Sequence, residues 1–150
     1  MLATIQQGVI DHYRQALSEG VGDGDETLLQ PGAVKPYGGE LHQPNRLANQ
    51  VPVTFVEFDN GAFQSQDAAG ETLSGSETVH VICCALNQSG GTATANDGVR
   101  LLSWALEALS GLEVHFGHGR LATWEQVGVQ RLLSGERLWA AALTPQLIVT

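Results

Sequence analysis

The run Glu77-Thr-Val-His-Val-Ile-Cys-Cys-Ala-Leu-Asn87 decides the fold. Read as a strand, it places Thr78, His80, Ile82, Cys84 and Leu86 on one face. Val79, Val81, Cys83 and Ala85 fall on the other, because successive side chains alternate. Both sets are mostly apolar, so the strand belongs in the middle of a sheet that is covered on both sides. Helices of a small domain can cover one face, and a neighbouring subunit is the economical cover for the second.

The segment after it reads as a helix from about Ala95 to Ser110. Val99, Leu102, Ala105, Leu106 and Leu109 form one stripe, with Leu101, Trp104 and Ala108 beside it. That arc is wider than the ~100° of an ordinary surface helix. Thr94 or Asn96 is expected to cap its start, and Gly111 to end it. A first helix spans Leu2 to about Glu19, where Leu2, Ile5, Val9, Tyr13, Ala16 and Leu17 keep helical spacing and Gly20 stops the run.

Between these helices, Val21 to Gln50 is acidic at first and then punctuated by Pro31, Pro36, Gly38, Gly39 and Pro44. Its Lys35-Pro-Tyr-Gly-Gly-Glu-Leu41 segment reads as an extended arm or an irregular edge. Val51 to Phe58 reads as a strand, and Asn60-Gly61 as a two-residue hairpin turn that sends Ala62 to Gln66 back. Asp67 to Ser76 reads as a polar loop. It and Gly20 to Gln30 are expected to be the least ordered segments of a lone subunit. Ala122 to Leu133 and Arg137 to Leu143 form a terminal hairpin, and Pro145 is expected to detach the tail Leu147-Ile-Val-Thr150.

The predicted fold is therefore α+β: a mixed, mainly antiparallel sheet of about four to five strands with two helices packed on one face. Residues 1–150 are read as a single domain.

The bulk properties narrow the function. The chain carries seven Lys and Arg against sixteen Asp and Glu, a net charge of −9. Nucleic-acid and anionic-membrane binding both call for a basic surface, so neither is expected. No apolar run reaches the ~20 residues of a membrane span, and the N-terminus lacks the basic start and apolar core of a signal peptide. The sequence thus reads as that of a protein made and folded in the cytosol. Only 15% of residues are charged against a usual ~25%. Either a neutral surface of Gln, Asn, Ser and Thr or burial in an oligomer accounts for this.

Catalytic and metal motifs are weak. Cys83 and Cys84 are neighbours in a strand and read as small buried apolar side chains. A Cys-His enzyme built from either thiol with His80 and Asp97 would place its nucleophile mid-strand, away from the electropositive settings that activate thiols. His115-Phe-Gly-His118 with Glu113 is too sparse for a zinc site. No enzymatic activity, metal or cofactor is expected.

Four segments resemble a known family: Val34-Lys-Pro-Tyr-Gly-Gly-Glu-Leu41; Pro52-Val-Thr-Phe-Val-Glu-Phe58 with Asn60-Gly61; Val79-His-Val-Ile-Cys-Cys-Ala-Leu-Asn87; and Gly98-Val-Arg-Leu-Leu-Ser-Trp-Ala-Leu-Glu-Ala-Leu109. In this order they are similar to Mu-like phage and prophage proteins of a tail-terminator-like family. The resemblance implies a structural protein of the virion, at the head-proximal end of the tail and synthesised in the host cytoplasm. Six copies would form a ring that caps the tail tube and meets the head-side connector. Its partners would be itself, the tube protein and the connector. A neck subunit is the nearest alternative, and a small enzyme with a cysteine nucleophile the alternative of another class. A ring needs two different patches on each subunit. One is expected on the uncovered face of the central strand and the arm, with Lys35, Tyr37 and Glu40. The other is expected on the terminal hairpin, with Trp124, Trp139 and Leu143.

Overall fold

The computed structural model describes residues 2–20, 29–65, 73–86, 92–115, 121–134 and 138–149. Helix α1 is Leu2–Ser18. Strand β1 (Val34–Pro36) and a short helix α2 (Pro44–Leu47) follow, then strands β2 (Val53–Ser65) and β3 (Leu73–Leu86). Helix α3 is Thr92–Leu109, and strands β4 (Glu113–His115), β5 (Leu121–Ser134) and β6 (Leu138–Val149) complete the order. The strands form one six-stranded sheet in the order β1-β2-β3-β6-β5-β4. Only β1 and β2 pair in parallel, and the sheet curls into a half-barrel.

This corrects the expected fold of two helices on one face of four to five strands. The sheet has six strands, and a third helix lies on the opposite face. On the first face α1 and α3 bury Val56, Val79, Val81, Cys83, Ala85, Leu143, Leu147 and Val149 together with Ile5, Val9, Tyr13, Leu101 and Leu109. On the second face Val53, Phe55, Ile82, Cys84, Leu138, Ala140 and Ala142 meet Leu47 of α2, flanked by Tyr37, Leu41, Ala48 and Val51. Strand β3 is indeed paired on both sides and covered on both faces. Its second cover is the chain's own 37–51 segment, where a neighbouring subunit was expected. Aliphatic residues spaced among prolines and glycines are sufficient because only the upper half of that face is apolar.

Three local expectations also change. Strand β2 does not turn at Asn60-Gly61. It runs on past an irregularity between Phe58 and Asn60 and pairs with β3 as far as Ser65↔Leu73. A tight turn there would forfeit the ladder from Asn60↔Thr78 onward, so the long pairing wins over the local turn preference. Residues 73–76 are accordingly strand, and 66–72 lie outside the described residues, as do 21–28 of the other segment expected to be poorly ordered. Strand β6 likewise continues through Pro145. The β3–β6 ladder steps from Val81↔Leu143 to Thr78↔Gln146, so the proline, which lacks an N–H, sits where that ladder is interrupted. Helix α3 starts at Thr92, so Thr94 and Asn96 lie within it and neither is the cap.

Side chains of α1 strap the layers together. Arg14 donates from Nε (3.0 Å) and Nη2 (2.7 Å) to the Val34 carbonyl. Gln6 donates to the Val56 carbonyl, and His12 Nε2 lies 2.8 Å from the Ala108 carbonyl on α3. Two glycines permit close approach. A Cβ on Gly8 would fall 2.5 Å from Val114 Cγ1, and one on Gly98 would fall 2.4 Å from Cε3 of the Trp139 ring. Gly98→Ala should therefore push α3 off β6 and lower stability by roughly 1–3 kcal/mol in urea denaturation. An unchanged midpoint would show that the Trp139 ring moves aside freely.

Candidate functional site

The two rims of the half-barrel differ in how their edges are finished. At one rim, β1 covers only Thr54–Val56 of β2. Tyr37 N–H bonds the Val56 carbonyl at 3.0 Å, so in this parallel pair Lys35 and Tyr37 bond inward. The outward backbone groups of β1 belong to Val34 and Pro36. Arg14 occupies the Val34 carbonyl, and Pro36 has no N–H to offer. Proline and an edge-capping cation are devices that blunt a sheet edge against further pairing.

The other rim has no such finish. Strand β4 pairs only with Leu121–Thr123. From Trp124 to Ser134 the outer edge of β5 meets no strand among the described residues. Irregularities between Trp124 and Gln126 and between Arg131 and Leu133 bound an unbroken stretch, Gln126–Arg131. It contains neither proline nor lysine, and Val129 in it is 66% exposed.

Helix α3 supplies an apolar wall to this edge. Its buried arc holds Leu101, Trp104, Ala105, Ala108 and Leu109, so the expected stripe is rotated. Ala108 faces α1 through the His12 contact, and Gly98 faces Trp139 on β6. Continuing round the helix at 100° per residue, Leu102, Leu106 and Val99 point away from α1, past β6 and toward β5. Val99 is 56% and Leu106 47% exposed. Val129 pairs with Leu143, which is in the core on the helix-covered face, and so stands on that same face. These three residues are most of the exposed large aliphatic surface among the described residues.

The six residues expected at an interface are placed otherwise. Tyr37 packs edge-on against Phe55 with ring centroids 5.7 Å apart, and its hydroxyl accepts the Leu41 N–H at 3.3 Å. Glu40 accepts the Gly38 N–H at 2.7 Å, which closes a local turn. Lys35 is half-buried in β1. Leu143 is 1% exposed and belongs to the first core, Trp124 packs against that core, and Trp139 lies under α3. The sequence thus brings Tyr37, Lys35 and Glu40 together at one rim, but directs the hydrophobic members of the second set inward. The exposed stripe was missed because Val99 and Leu106 read as part of the core arc. The signal available was that arc's excess width.

The two thiols occupy opposite cores. Burial pushes the Cys83 thiol from its ordinary value near 9 up to about 12, partly offset by the Thr54 hydroxyl, which donates to its sulfur at 3.8 Å. Burial raises Cys84 too. A thiol so placed is protonated at neutral pH and has no route to a substrate. His80 Nδ1 lies 3.9 Å from Glu57 Oε2 on the second face, far from Asp97, whose carboxylate pairs with Arg100 at 3.3 Å. His115 stands beside Glu113 at 3.8 Å on the exposed β4, and His118 lies outside the described residues. Among the described residues no group of three metal-ligating side chains converges, and no helix is long and apolar enough to cross a membrane.

No known family model matches the chain, and no curated protein is recognisably similar to it.

Because the folded state holds the Cys83 proton more tightly than the unfolded one, its contribution to stability is complete below about pH 9. That contribution is lost as pH rises from about 9 toward about 12. Cys83→Ala should flatten the alkaline loss of stability over this range, while native thiols stay unreactive toward a disulfide reagent at pH 7. Rapid labelling of folded protein would contradict the burial described.

Proposed function

We propose that this chain is a structural subunit that assembles with copies of itself into a tail-terminator-like ring. The observation that carries the reading is the exposed Val99, Leu106 and Val129 set along an unguarded strand edge. Fully burying a Val or Leu side chain is worth about 1.5–3 kcal/mol, so this strip favours a covering polypeptide. The two rims also differ from each other. A contact between unlike patches is heterologous, the kind from which closed rings are built.

The resemblance supplies the identity of the ring: six copies at the head-proximal end of a phage tail, seated on the tube and meeting the connector. The net charge of −9 suits partners with basic docking surfaces. Docking of this kind weakens with salt, because exposed charges are screened over about 10 Å at 0.1 M.

Light scattering after size exclusion tests the reading. The expected result is a particle of six subunit masses, alone or on addition of tube protein, whose binding to tube ends falls as salt is raised. A chain that stays monomeric at high concentration with tube present contradicts it.

A further inference from the structure

Resting on the ring reading, we infer that the edge Gln126–Arg131 of β5 pairs with the open edge Glu57–Ser65 of β2 in a second copy of this chain.

Both edges are long, and both are left free by short neighbours. Strand β1 ends at Pro36 opposite Val56, so β2 is uncovered on its outer side from Glu57 onward. Strand β4 ends opposite Thr123, so β5 is uncovered in the other direction along the strands. The two edges lie diagonally across the sheet. A second copy must therefore be displaced along the strands to bring them together. That displacement is the stagger by which tilted strands close into rings.

Direction agrees as well. Three antiparallel steps separate β2 from β5 through β3 and β6, so the two strands run oppositely. Placing copies side by side with the same face up then makes the new pair antiparallel, the more stable arrangement.

Charge selects the partner edge. Glu57–Ser65 carries carboxylates and no cation, whereas Gln126–Arg131 carries one cation and no carboxylate. The competing edge, β1, is closed by Arg14 and Pro36. Once β5 is paired, a neighbour seated on it lies against Val129 and below Val99 and Leu106. The apolar strip and the open edge are thereby covered in a single contact.

The test compares the unaltered chain with Val129→Lys and Glu57→Lys by native mass spectrometry at low salt, with circular dichroism as a check on folding. Both positions are on the surface side of the sheet, so both variants should fold. The expected result is a ring for the unaltered chain and at least a tenfold higher assembly concentration for each variant. If both variants assemble like the parent, the pairing is wrong and the ring reading stands. If Val129→Lys alone blocks assembly, two β5 edges meet each other and the head-to-tail pairing is overturned. If the unaltered chain forms no ring, the ring reading fails first. Should a variant lose its fold, mixing the parent with the β5 peptide 124–134 replaces it, with loss of the ring expected and retention contradicting the pairing.

Discussion

Strand β3 must be dry on both faces, and the rest of the molecule is arranged around that requirement. Val79, Val81, Cys83 and Ala85 face one core, while Ile82 and Cys84 face the other. Neither set can remain in water at low cost. Pairing with β2 and β6 satisfies the backbone of β3, but it cannot cover its faces. Helices α1 and α3 do so on one side. On the other side the segment from Tyr37 to Val51, with Leu47 at its centre, does the same work with few residues.

Internal covering of both faces changes where a partner can bind. A sheet with one naked face would recruit a neighbour flat against it. Here the faces are occupied, and what remains is the rim. One rim is finished by Arg14 and Pro36. The other leaves the backbone of β5 and the aliphatic strip of α3 available to another chain. The asymmetry between the rims, more than any single residue, is what makes an ordered assembly physically reasonable.

Periodic segments long enough to average over exceptions were legible in the sequence. Helix α1, most of α3 and the two-faced β3 followed from apolar spacing. Strands β1 and β4 have three residues each and α2 has four, too few to show a period. Asn60-Gly61 and Pro145 carry strong local preferences, yet long ladders override both. The interface was the least legible part. Leu143 and Trp139 look like contact residues by size, but they lie in or against the core. Val99 and Leu106 look like core by spacing and lie outside it. Only the position of α3 over β6, fixed by Gly98 against Trp139, tells these cases apart.

The central claim is that assembly proceeds through strand edges, leaving both sheet faces as they are. Amide hydrogen exchange, followed on the dilute and the assembled chain, tests it most directly. The account predicts that amides within Trp124–Ser134 and Glu57–Ser65 gain protection on assembly, while those of β1 and the 37–51 segment do not change. New protection concentrated on β1 and residues 37–51, with the β5 edge still exchanging freely, would contradict it.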